Sequence, residues 1–268
     1  MNKKLKIIGS YILLFIESIL LFIITMLIVS KFTVLNNNYI KNNLEKNGYY
    51  KDLYDEIITE MSYYTNQSGF EDSILDNIFT MGELKYETNK FIENTYKGKS
   101  LTIDDGKMRE RLTNNINEYI KNSGFKIVDQ KEINKFIDTM SETYKDEITL
   151  MGYASKGANI LTKITSYSNR LIIVIFVAII ILILLNHIIL KRKESSIVFF
   201  TASFIILFCN YYFRNNIDLN NLFVYSNLVS KIAKYMINNI LSISIIISII
   251  YIVLGLILCL IKKIKKSY

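Results

Sequence analysis

Four apolar runs, at residues 7–30, 171–190, 197–213 and 235–261, contain a single charged residue, Glu17. A bilayer core of about 30 Å takes about 20 helical residues to cross. All four runs are near that length, and a soluble helix that is apolar all round has nowhere to go except a large core. The apolar residues are gathered into these blocks rather than spread along the chain, so the pattern predicts an all-α membrane protein. Four transmembrane helices are expected, with a helical bundle outside the membrane inserted between the first and the second. The third run is the most diluted, by Thr201, Ser203, Cys209 and Asn210.

The first run follows Lys3, Lys4 and Lys6, the pattern shared by signal peptides and membrane anchors. Its length, and its end at Ile28-Val29-Ser30-Lys31 without a small-x-small cleavage site, favour an anchor. Two more cationic clusters, Lys191-Arg192-Lys193 and Lys262, Lys263, Lys265 and Lys266, flank the other runs. Lys and Arg are retained on the cytoplasmic side, and one topology puts all three clusters there. Residues 1–6, 191–196 and 262–268 are then cytoplasmic, and residues 31–170 and 214–234 extracytoplasmic.

A net charge of +8 invites a nucleic-acid reading. Ten of the 32 Lys and Arg, however, lie in the three membrane-flanking clusters, leaving 22 to face the 22 carboxylates outside once Glu17 and Glu194 are set aside. The external parts are therefore formally neutral, and no nucleic acid is expected as a partner. Both cysteines, Cys209 and Cys259, fall in apolar runs, so the external domain has neither disulfide nor thiolate site. Absence of Pro and Trp, with abundant Asn, Ile and Lys, fits an AT-rich bacterial genome, and the expected location is a bacterial plasma membrane.

Between residues 31 and 170 apolar residues recur at helical spacing. One stripe joins Leu53, Tyr54, Ile57, Ile58, Met61 and Tyr64; a second joins Leu84, Thr88, Phe91, Ile92 and Tyr96. A third runs through Met108, Leu112, Ile116, Tyr119 and Ile120, and a fourth through Ile133, Phe136, Ile137, Met140 and Tyr144. Thr80-Met-Gly-Glu83 and Asp129-Gln-Lys-Glu132 have the spacing of reciprocal capping boxes. Gly48, Gly69, Gly98 and Gly124 sit where helices should stop. A leading helix at 35–46 and a short one at 72–79 complete the bundle, and residues 152–170 read as a helix running into the second membrane segment. Ser68-Gly69-Phe70 and Asn89-Lys-Phe-Ile92 recur as Ser123-Gly124-Phe125 and Asn134-Lys-Phe-Ile137. Duplication of a hairpin and chance both account for matches this short.

Candidate chemistry is sparse. The single histidine, His187, falls near the cytoplasmic end of the second segment, which excludes a histidine-based triad in the external domain. Neither a zincin motif nor a phosphate-binding loop is present. Paired carboxylates at Asp104-Asp105 and Asp146-Glu147 are intermixed with lysine and read as solvated helix faces rather than as a glycosidase pair. Catalytic residues, metal ligands and cofactors are therefore not expected. Glu17 stands out, because an ionised side chain at mid-membrane costs roughly 3 kcal/mol or more. Counting residues from the cytoplasmic ends places it near the depth of Tyr251, a natural hydrogen-bond partner. The pair reads either as a packing contact or as part of a proton or ion relay. Ser242, Ser244, Ser248 and Gly255 offer a small-residue surface for close helix packing, and residues 222–233 read equally as an amphipathic stretch in the outer interface or as a cap on the external domain.

The order of parts resembles permease subunits of the cell-division FtsX and MacB kind, in which one extracytoplasmic domain lies between the first and second of four membrane helices. That resemblance implies a permease or channel subunit working with a partner ATPase or as a homo-oligomer. It covers topology along the whole chain but no signature residue, and residues 1–6 and 191–196 are too short for the elements that touch an ATPase in such proteins. The residues themselves favour a non-enzymatic membrane protein whose external bundle binds a protein, peptide or envelope component, for sensing or scaffolding.

Overall fold

The computed structural model describes residues 3–99, 102–123, 129–149, 153–188, 195–216 and 227–267. Every regular element among them is helical. The order is α1 (Lys3–Phe32), α2 (Asn37–Lys46), α3 (Tyr49–Gln67), a 3-10 turn (Asp72–Leu75), α4 (Met81–Lys97), α5 (Gly106–Ser123), α6 (Gln130–Thr149), α7 (Tyr153–Ile188), α8 (Ser195–Asn216) and α9 (Asn227–Ser267). Two compact units result, Met1–Asn36 with Thr165–Tyr268, and Asn37–Ile164.

Four helices are long and apolar enough to cross a membrane, at Ile7–Phe32, Thr162–Leu185, Ser196–Asn216 and Ala233–Ile264, and all but the first three residues of the second span fall in the first unit. Their surfaces are inverted relative to a water-soluble protein. On α1 the buried face carries Ser10, Glu17, Ser18 and Thr25, whereas Ile8, Ile12, Phe15 and Ile16 are exposed. On α8 and α9 the buried positions include Ser203, Asn210, Ser244 and Ser248, while Phe204, Phe208, Ile246 and Ile249 face outward. In water this arrangement would expose the groups that gain most from burial. In hydrocarbon it is the stable one, because polar groups must find partners inside and lipid tails are as apolar as leucine.

α8 and α9 form an antiparallel hairpin, and α1 packs against both. Gly255 permits the close approach: a Cβ there would lie 2.9 Å from Phe200 ring carbons. Ser244 and Ser248 also lie in the contact, but Ser242 is exposed and bonds back to the Asn238 carbonyl within its own helix. The small-residue surface is thus narrower than the sequence spacing suggests, since Ser242 falls on the other side of α9.

The second unit obeys the opposite rule. Leu53, Ile57 and Met61 of α3, Leu84 of α4, Leu112 and Ile116 of α5, and Met140 and Tyr144 of α6 are fully buried. Each large apolar side chain stabilises the unit by about 1.5–3 kcal/mol relative to exposure. All four expected stripes point inward at these positions, although Tyr54, Ile58, Ile92, Tyr119 and Ile120 are only half-buried. α6 packs against α3, α4 and α5 and is the centre of the bundle.

Helix ends follow the local chemistry. Thr80 and Glu83 form the expected capping box, each side chain bonded to the other residue's amide. Asp129 caps α6 differently, through the Lys131 amide, while the Glu132 carboxylate pairs with Lys135 instead of turning back. Gly48, Gly69 and Gly98 all have positive φ, the conformation in which glycine ends a helix at little steric cost. Gly124 lies outside the described residues. The expected helix at 72–79 is a single 3-10 turn, and the leading helix begins at Asn37.

α7 runs without a break from Tyr153 to Ile188, which supplies the expected helical lead-in to the second membrane segment. Residues 222–225 of the amphipathic stretch lie outside the described residues, as do residues 189–194 and the repeat Gly124-Phe125. Among the copies that are described, Phe91 and Phe136 occupy equivalent buried positions, but Asn89 bonds Tyr50 and Asn134 bonds Gln130. The repeat shares a periodicity rather than a set of contacts.

Candidate functional site

Glu17 is only 3% exposed on the face of α1 that packs in the membrane-type unit. The Tyr251 hydroxyl lies 2.6 Å from Thr25 Oγ1, which donates its proton to the Leu21 carbonyl and so accepts from the tyrosine. Thr25 is eight residues beyond Glu17, about 12 Å along the helix axis. Tyr251 thus meets α1 about two turns beyond Glu17.

The polar contacts of the α8–α9 hairpin lie beyond Tyr251 toward the N-terminal end of α9. Ser203 Oγ lies 3.0 Å from both the Ser248 carbonyl and its hydroxyl. Asn210 Nδ2 donates to Ser244 Oγ at 2.8 Å and to the Ile206 carbonyl at 3.1 Å, while Asn210 Oδ1 has no partner among the described residues. Bonds of this kind between membrane helices average about 0.6 kcal/mol each, so they set register more than they supply stability.

The helical unit offers a different chemistry. A cavity of about 430 Å³ lies where α4, the start of α5 and α6 meet. Its carboxylates are positioned by backbone groups. Glu87 Oε2 accepts the Asp104 amide at 3.2 Å, and Asp104 Oδ1 accepts the Gly106 amide at 3.1 Å. The Glu83 carboxylate completes the α4 cap and also takes both terminal nitrogens of Arg111, at 2.7 and 2.9 Å. These bonds from Arg111, followed by the Thr80 cap, hold the Glu83 carboxyl down to about 2.

Tyr144 lines the same cavity and is only 2% exposed. Its ring packs against Phe79 at 5.0 Å. Burial and then Glu87 hold its phenol protonated, well above the usual tyrosine range, and its hydroxyl has no hydrogen-bond partner among the described residues.

Asp105 is not a free surface group. It is bound by Lys145 at 2.8 Å, by Arg109 at 3.7 Å and by the Ser141 hydroxyl. Glu147 is half-buried beside α3, where burial and then the charges of Glu56 and Glu60 raise it to about 7. The solvated-face reading of both carboxylate pairs is thus corrected for these two members, which helix packing turns inward; Asp104 and Asp146 remain exposed. No group of three His, Cys, Asp or Glu among the described residues is placed to hold a metal ion.

Comparison with family models, with curated proteins and with solved structures finds no match.

The cavity was not legible in the sequence. Sequence spacing reads Glu83 as a helix cap and Tyr144 as part of a buried stripe and singles out nothing at Glu87, and only the α4–α6 packing brings the three together. The one available signal was Glu87 itself, a charged residue one position before Thr88 in an otherwise buried stripe. The side chain of His187 lies outside what the structure describes.

Proposed function

We propose that this protein spans a bacterial plasma membrane four times with both termini in the cytoplasm. On this reading residues 37–164 form an extracytoplasmic, non-enzymatic module that binds a protein, peptide or envelope component, for sensing or scaffolding. One observation carries it: the chain divides into a unit with apolar side chains outside and polar ones inside, and a unit with a water-type core, polar surface and cavity. A module with its own core on a membrane anchor is suited to recognising something in the aqueous phase. Placement outside the cell rests on the cationic flanks.

Two measurements test this. Single cysteines introduced at exposed positions of the helical unit, in a Cys209→Ser/Cys259→Ser background, should react with a membrane-impermeant maleimide on intact cells; protection until lysis would reverse the topology. Purification from the native membrane in mild detergent, with mass spectrometry of what accompanies the protein, should recover an envelope or secreted component. A second reading is favoured by the buried Glu17 and by Asn210 in the membrane-type unit, which suit a permease or channel subunit. Recovery of an ATPase in the same purification would establish that reading instead.

A further inference from the structure

The cavity at the α4–α6 junction combines three features that a surface dimple lacks. Its volume, about 430 Å³, falls in the range of small-ligand pockets. Its polar groups converge: the Glu87 carboxylate holds the Asp104 amide, and Tyr144, a residue only 2% exposed, lines the same space with a hydroxyl that has no hydrogen-bond partner among the described residues. A hydroxyl at the wall of a pocket is free to bond a ligand placed there. Its walls are partly aromatic, with Phe79 on one side and Tyr86 at the mouth.

Charge selects the ligand class. Glu83, Glu87 and Asp104 line the space against Lys107, and Glu83 is already neutralised by Arg111. Lys107 stays on the rim with 79% of its side chain exposed, 3.9 Å from Glu83. Lys90 stands 3.6 Å from Glu87 Oε1, beyond hydrogen-bond distance, and rests over the Tyr86 ring. The cavity's own cations therefore leave Glu87 and Asp104 available. A cavity of this volume, lined by carboxylates and aromatic rings, has room for an organic cation. An alkylammonium or guanidinium has only donors to offer, which matches two carboxylates and a hydroxyl oxygen, and aromatic faces attract such cations.

We infer that this cavity binds the cationic head of a primary amine or guanidine. Its N–H groups donate to Glu87, Asp104 and the Tyr144 oxygen, while Phe79 and Tyr86 cover the adjoining methylenes. The inference rests on reading residues 37–164 as a binding module, and it names the chemistry of what that module takes. The head can belong to a free amine or to a lysine or arginine side chain of a polypeptide.

Full-length protein in nanodiscs is titrated calorimetrically with 1,4-diaminobutane, with acetyl-Ala-Lys-Ala-amide and with acetyl-Ala-Gln-Ala-amide. Saturable binding of either cationic probe, but not of the glutamine peptide, is expected; the diamine alone points to a free amine, the lysine peptide alone to a polypeptide. Glu87→Gln, which keeps an oxygen for the Asp104 amide, should weaken binding at least about tenfold, as loss of a charge-assisted bond does. Tyr144→Phe should weaken it by about threefold, with far-ultraviolet circular dichroism confirming the fold. Asp104 is exposed, so Asp104→Asn supplies a variant whose folding is not in question, and it too should weaken binding. Equal binding of the glutamine peptide, or affinity unchanged in both Glu87→Gln and Asp104→Asn, overturns the inference. Absence of amine binding, with an envelope partner recovered equally by wild type and Glu87→Gln, overturns the cavity while leaving the binding module standing. Amine binding lost in Glu87→Gln with no macromolecule recovered upholds the cavity and removes the macromolecular partner.

Discussion

Glu83 receives both terminal nitrogens of Arg111, at 2.7 and 2.9 Å, while its carboxylate also caps α4 through the Thr80 amide at 2.9 Å. One side chain thus starts α4 and ties it to α5. Paired bonds of this kind hold a fixed geometry, unlike single surface ion pairs. Arg111→Met should lower the stability of the helical unit by about 1 kcal/mol, and Glu83→Ala by about 1–2 kcal/mol because the cap is lost as well. Chemical denaturation of the full chain in detergent checks both. Since the Glu83 carboxyl lies at about 2 in the folded unit against an ordinary 4.5, its contribution is complete above pH 4.5 and disappears as pH falls towards 2. Equal stability of Arg111→Met and wild type at neutral pH would show that the pair is incidental.

Glu147 titrates in the opposite sense. Burial, then Glu56 and Glu60 on α3, raise it from 4.5 to about 7, so the folded unit binds its proton more tightly than the unfolded chain does. The contribution of this group is greatest below pH 4.5 and is lost as pH rises to about 7. Glu147→Gln should therefore melt higher than wild type at pH 8 and close to it at pH 4.5. A melting difference that does not change between these two pH values would contradict the assignment.

Glu17 lies on the packed face of α1, where the side chain's shape and hydrogen bonding matter more than its charge. Glu17→Gln should leave the membrane-type unit assembled, whereas Glu17→Leu should alter helix association. Size-exclusion profiles and detergent melting of the two variants decide the matter, and equal loss of assembly in both would sink the packing role.

Gly255 and Phe200 test the α8–α9 contact. A β-branched side chain at a position where even a Cβ would come within 2.9 Å of the ring must push the helices apart. Gly255→Ile should lower the melting temperature of the protein in detergent, and Phe200→Ala in the same chain should restore part of the loss. Additive losses would mean that the two residues do not share a contact.

Periodicity and punctuation made much of this architecture readable. The four apolar runs, the inward positions of Leu53, Leu84, Leu112 and Met140, the Thr80–Glu83 box and the positive-φ glycines depend on neighbours within a few residues. Their physics is present in any short window of the chain. The Asp129 cap departs from the box pattern because Lys135, one turn further on, competes for the Glu132 carboxylate, a choice that sequence spacing leaves open.

Depth and convergence belong to the tertiary structure. Tyr251 meets Thr25, a register that residue counts from the helix ends do not contain. Glu87, Asp104 and Tyr144 share a cavity because α6 crosses between helices far from it in sequence. The sequence by itself determined which side chains prefer lipid, water or burial. Only packing decided which of the buried polar groups face one another, since that choice is made by shape complementarity between surfaces that no local window contains.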